Sequence, residues 1–195
     1  MLKSTPRFTS ICLLLLTLTI SSFSRAERDS LSIPLARISV ETGVFFSSHE
    51  KFQTLFETNS AFNWQIGLDV GTSTWKIIPW GKFSTFQFET LTEASAPYTA
   101  KLVQFSGGLG FPIALKDRDE LILRGGLSQN IYTVNDETQD ELGMLMSIGY
   151  KRSLHKNLDI LFNGAYNYSK NKSNPLLNDW NGFTLNIGVG INLIG

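Results

Sequence analysis

Among the residue types that serve as bases and metal ligands, this 195-residue chain has two histidines, one cysteine and 17 carboxylates. His49 stands in Ser47-Ser48-His49-Glu50, and Ser, His and Glu are the residue types of a hydrolytic triad. Neighbours in sequence rarely meet triad geometry, and a loop holds it poorly. His155 lies beside Arg152 and Lys156 and reads as a solvated turn residue. The single cysteine, Cys12, excludes a disulfide scaffold and a cysteine-based zinc site. The residues therefore point to no catalytic, cofactor-binding or metal-binding position, and no cofactor is expected.

A second set of charges is better placed. Arg37, Glu41, Asp69, Glu89, Arg124, Lys151 and Asp159 each fall on the polar face of an alternating segment. Facing a shared interior, they would have to pair or hydrogen-bond. Glu41, Asp69 and Glu89 are the carboxylates expected to meet Arg124. A third set, Asp136, Glu137, Asp140 and Glu141, with Lys170 and Lys172, lies in two polar stretches that read as loops.

The elements that position these residues are strands. Period-two alternation marks a strand with two different faces. It is cleanest at the end of the chain. Phe183, Leu185, Ile187, Val189, Ile191 and Leu193 oppose Thr184, Asn186, Gly188, Gly190 and Asn192. The same pattern recurs in 37–46, 62–71, 99–113, 121–132, 142–151 and 158–168. Segment 81–91 is weaker. There Phe86 and Phe88 oppose Gln87 and Glu89, and Phe83 falls out of phase, as at a bulge. Eight strands of about ten residues match the length needed to cross a hydrocarbon core obliquely. A closed barrel is the way a sheet satisfies its backbone in lipid. The predicted fold is an all-β, eight-stranded, antiparallel up-and-down transmembrane barrel. Its second face, rich in Gly, Ser, Asn and Gln, suits a crowded interior better than the wet face of a soluble sandwich.

Connections 47–61, 92–98, 133–141 and 169–181 are longer on the whole than 72–80, 114–120 and 152–157. Long loops on one rim and short turns on the other is the outer-membrane arrangement, which puts both termini in the periplasm. Aromatic residues gather near both rims. Phe45, Phe46, Phe62, Trp64, Tyr132, Tyr166, Tyr168, Trp180 and Phe183 lie near the first, and Trp75, Trp80, Phe111 and Tyr150 near the second. They read as two interfacial girdles.

Residues 1–26 read as a secretory signal peptide. Lys3 and Arg7 precede an apolar run from Ile11 to Ile20, and Ser24-Arg25-Ala26 supplies the small residues of a cleavage site. The apolar run is too short to span a bilayer, and Cys12 precedes the place a lipoprotein cysteine would take. Removing Lys3, Arg7 and Arg25 leaves 14 basic against 17 acidic residues. That balance carries no basic stripe for nucleic acid. Residues 27–36 are expected to form a periplasmic segment and 37–195 the barrel.

On these residues the chain resembles the small eight-stranded outer-membrane barrels of the OmpA, OmpX and Opa type. Asn186, Gly188, Ile191 and Leu193 match that family's C-terminal assembly signal, although the chain ends Leu193-Ile194-Gly195 rather than on an aromatic residue. The resemblance implies export to the outer membrane of a Gram-negative-type bacterium. Implied partners are outer-membrane lipids, lipopolysaccharide and the barrel-assembly machinery. It also implies a structural or adhesin-like role with an unidentified surface ligand. A lipid A-modifying enzyme is the alternative, but the His-x-Ser pattern of the deacylases is absent. A small gated channel comes third, because eight strands leave an interior that side chains can fill.

Overall fold

The computed structural model describes residues 34–48, 59–72, 75–89, 99–116, 118–134, 137–155, 157–169 and 181–193. Alternation becomes strand throughout: β1 (Pro34–Ser47), β2 (Ser60–Thr72), β3 (Ile78–Glu89), β4 (Thr99–Lys116), β5 (Asp119–Val134), β6 (Glu137–His155), β7 (Leu158–Ser169) and β8 (Gly182–Asn192). Each pairs antiparallel with the next, and β1 pairs with β8, so the sheet closes into a barrel. Closure leaves no strand edge to template association. The first strand starts at Pro34, inside the segment read as 27–36. The signal segment lies outside the described residues.

The exterior is apolar. Ile38, Val40, Ile66, Leu68, Phe105, Leu109, Ile187 and Val189 are all exposed, and Leu142 and Met146 are exposed by 72% and 67%. Aliphatic surface of that extent is unfavourable in water and suits hydrocarbon. The opposite parity points into the lumen, where Ser39, Asn63, Gln65, Gln104, Ser128, Asn130 and Asn186 are buried.

Three expectations are corrected. First, β3 has the opposite phase. Phe83 faces outward, with its ring 5.5 Å from Trp64 and 5.2 Å from Phe105. Lys82, Ser84 and Phe86 face inward. Phe83 and Phe86 are three residues apart and cannot share a face. The pairings of β3 with β2 and β4 run without a register shift, so Phe83 marks no bulge. The side chain of Glu89, at the end of β3, lies outside the described residues. The two register shifts among the described pairings lie elsewhere, between Ala114 and Lys116 and between Ser153 and His155.

Second, the middle strands are longer than the apolar pattern. Val134 pairs with Glu137, so the connection expected over 133–141 spans only 135–136, which lie outside the described residues, and Asp140 and Glu141 stand on β6. Likewise 114–120 contracts to 117–118, and 152–157 to 156–157. Beyond the hydrocarbon a hairpin needs no apolar face, so polarity alone does not end it. Third, the girdles are thinner than expected. Phe46, Phe62, Trp64, Tyr166, Tyr168, Phe183 and Phe111 are exposed on the outside, but Phe45, Trp80 and Tyr132 point into the lumen and are buried. Trp180 lies outside the described residues.

Candidate functional site: the barrel lumen

The charged part of the lumen lies toward the short-turn rim. Arg37 on β1 sits opposite Asp69 on β2 in register, and its Nε donates to Asp69 Oδ2 at 3.0 Å. Arg124, across the lumen on β5, reaches the same carboxylate with Nη2 at 3.0 and 3.3 Å. Arg37 Nη1 lies 3.5 Å from Asp159 Oδ2 on β7. Asp159 also accepts from Ser153 Oγ at 2.7 Å and Asn192 Nδ2 at 3.4 Å. Two guanidiniums and two carboxylates thus link β1, β2, β5 and β7. Glycines make the room: a Cβ at Gly190 would meet Arg37 Cδ at 3.0 Å, and one at Gly110 would meet Arg124 Cγ at 3.3 Å.

A second group sits on the wall formed by β1, β2 and β3. Lys82 Nζ lies 3.2 Å from Glu41 Oε1. Glu41 also accepts from Gln65 Nε2 at 2.6 Å and Ser39 Oγ at 3.4 Å. With the Asn163 amide turned to suit its neighbours, its oxygen accepts from Lys82 Nζ at 2.8 Å. Lys151 and Glu120 form a third ion pair. Among the described residues, Arg37, Lys82, Arg124 and Lys151 are matched by Glu41, Asp69, Glu120 and Asp159. Each charge therefore meets an opposite one, as a low-dielectric interior demands.

Toward the long-loop rim the filling changes. Phe45, Ala61, Phe86, Ala100, Leu102 and Tyr132 form one buried apolar cluster drawn from β1 to β5. The Phe45 and Phe86 rings meet edge-on, with centroids 5.2 Å apart. The Tyr132 hydroxyl donates to Glu141 on β6. Between cluster and charges lies a cavity of about 10 Å³, bordered by Lys82, Phe86, Gln104, Leu145 and Asn167. That is room for about one ordered water.

Of the charges read from the sequence as facing inward, the lumen gathers Arg37, Glu41, Asp69, Arg124, Lys151 and Asp159. The side chain of Glu89 lies outside the described residues. Lys82 and Glu120 were missed. Lys82 follows once the phase of β3 is set by Phe83, and Glu120 once β5 is extended to Asp119. Of the carboxylates expected to meet Arg124, Asp69 does so. His49 lies outside the described residues, as do Lys170 and Lys172. His155 ends β6 and is exposed. No group of three or more His, Cys, Asp or Glu residues among the described residues could hold a metal ion.

No protein-family model matches the chain, and neither does any curated protein sequence. Solved structures do. Neisserial surface protein A superposes with a TM-score of 0.57 at 16% identity, covering 82% of this chain and 97% of its own. This chain has the fold of the small eight-stranded outer-membrane β-barrels. A major outer-membrane protein from Thermus thermophilus gives 0.56 at 11% identity, covering 81% of this chain and 99% of that one. Ail, the attachment invasion locus protein of Yersinia pestis, solved with the heparin analogue sucrose octasulfate, gives 0.54 at 12%, covering 83% and 99%. At these identities the likeness is one of fold.

Proposed function

We propose that this chain is an integral outer-membrane barrel with a closed lumen and no enzymatic activity, whose role is structural or surface-interacting. The observation that carries the reading is the lumen itself. Four cations meet four carboxylates, and an apolar cluster lies across the long-loop end. Such a core holds a barrel together and leaves little space for a passing ion. The exposed apolar belt calls for lipid as its surroundings, with lipopolysaccharide at the long-loop rim. The last strand, β8, offers the route to the assembly machinery. Ail, with a related fold, was solved with a sulfated ligand; for this chain the surface ligand would be met by the long-loop rim.

The test has two parts. The folded protein should migrate differently from its boiled form on a gel and should add no conductance to a planar bilayer. Stepwise conductance would instead establish the channel reading. Activity on lipopolysaccharide that His49→Ala abolishes would establish the enzyme.

A further inference from the structure

The small cavity between the apolar cluster and the charges has walls of two kinds. Phe86 and Leu102 of the cluster border it, and Lys82 on β3, Gln104 on β4 and Thr184 on β8 bring polar groups to it. Lys82 is in register with Ser106, and Gln104 with Ser84, so Lys82 and Gln104 are diagonal neighbours on the inner wall. Diagonal cross-strand residues stand about 7–8 Å apart, within reach of long side chains.

The hydrogen bonds of these groups are incomplete. An ammonium has three N–H donors. Lys82 gives one to Glu41 Oε1 at 3.2 Å and one to the turned Asn163 amide oxygen at 2.8 Å. The third meets no acceptor among the described residues. Gln104 shows the converse. Its Nε2 donates to Asn130 Oδ1 at 2.7 Å, and its Oε1 receives no donor among the described residues. Thr184 Oγ1 donates to the Ala165 carbonyl at 3.4 Å, which leaves its lone pairs open. Lys82 and Gln104 are exposed by only 8% and 3%, so bulk solvent supplies little. A charged donor left without a partner in such a place is costly.

We infer that the cavity binds one structural water, which accepts from Lys82 Nζ and donates to Gln104 Oε1 and Thr184 Oγ1. About three polar partners is typical of a buried water. The ammonium repels a cation, and the void, at about 10 Å³, admits nothing larger than a water. The water closes a hydrogen-bonded path from Glu41 through Lys82 and Gln104 to Asn130, which runs from β1 to β5 beside the rings. It lets an ammonium stand against Phe86 and Leu102 with its donors satisfied. The inference goes beyond the proposed function, because it concerns the interior and holds for the folded barrel in micelles as in lipid.

The experiment crystallises the refolded full barrel and reads the electron density in the void. Wild type should show one peak within hydrogen-bond distance of both Lys82 Nζ and Gln104 Oε1. An empty void overturns the inference, as does a peak that touches neither atom. Gln104→Met keeps the length of the side chain and drops the acceptor, so the peak should be lost and the urea midpoint should fall. Persistence of the peak in that variant overturns the assignment of Gln104. Two changes at Ala165, which borders the void, keep the inference testable should Gln104→Met fail to refold. Ala165→Ser puts a hydroxyl where the water was and should hold the midpoint near wild type. Ala165→Val displaces the water without replacing its bonds and should lower the midpoint below that of the serine variant. A valine midpoint above wild type would mean that a dry void had been filled, and overturns the inference. Stepwise conductance of the same preparation would defeat the closed-lumen reading instead and is scored separately.

Discussion

Toward the short-turn rim the lumen is packed with Arg37, Asp69, Arg124 and Asp159; toward the long-loop rim it is packed with Phe45, Phe86, Leu102 and Tyr132. Both ends fill the same eight-stranded bore. The rings do so by dispersion and apolar burial, which no single partner controls. The charges do so by mutual compensation, so the loss of one strands another. The difference teaches that a barrel interior of this size need not be polar to be filled. It also predicts that the two ends tolerate change differently.

The largest effect should come from Asp69→Ala. Asp69 is the carboxylate shared by Arg37 and Arg124, and without it two guanidiniums face each other in a confined space. Breaking a buried pair costs ~3–5 kcal/mol, and this change breaks two contacts together. Urea unfolding of the vesicle-inserted protein, followed by tryptophan fluorescence, measures it. A loss under about 1 kcal/mol would mean that this end of the lumen is hydrated, and the contrast with the apolar end would disappear.

Phe86→Ala comes next. It deletes the ring that meets Phe45 edge-on and opens a cavity among small neighbours such as Ala61 and Ala100. Phe→Ala in a packed core costs about 3–5 kcal/mol, and partial collapse of the remaining rings should hold the loss near the lower figure. Phe86→Leu should recover most of it. The corresponding conservative change at the other end, Asp69→Asn, should recover little, because an amide keeps the shape and drops the charge. Equal recovery at both ends would show that shape, not charge, decides.

A double-mutant cycle sharpens the comparison further. Arg124 and Asp69 are in direct contact, so their coupling should exceed about 1 kcal/mol, whereas Arg124 with Glu41 should couple by less than about 0.5 kcal/mol. Glu41 is held by Lys82, Gln65 and Ser39 instead. Strong coupling of Arg124 to Glu41 would merge the two charge groups into one.

The two ends were not equally legible in the sequence. Alternation alone placed Arg37, Asp69, Arg124 and Asp159 inside, because a charge among outward apolar residues declares its face. It could not say that Asp69 would take both arginines, since that depends on the stagger of strands around the barrel. The apolar end was hidden by the same rule. Phe45, Phe86 and Tyr132 look like lipid-facing residues when hydrophobicity is taken to mean outside, and Phe86 carried β3 into the wrong phase with it. The long hairpins escaped for a related reason. Asp140 and Glu141 are polar although they stand within β6, so polarity there does not mark the end of the strand.

The smallest effect tests the border between the two ends. Asn63 on β2 is fully buried, and neither amide atom has a hydrogen-bond partner in the protein. It sits in register with Gly43 of β1 and Phe86 of β3, at the foot of the apolar cluster. An unsatisfied buried amide costs ~1–3 kcal/mol, and an apolar replacement of similar shape removes that cost. Asn63→Leu should therefore raise stability by about 1 kcal/mol and extend the apolar end one layer toward the charges. The same change at Gln65, whose amide donates to Glu41 at 2.6 Å, should destabilise, because it leaves the carboxylate with one donor fewer. Opposite signs at these two neighbouring inward positions, read in the same unfolding assay, place the boundary between Asn63 and Gln65. Equal losses at both would place an ordered polar partner beside Asn63 and move the boundary up to the rings.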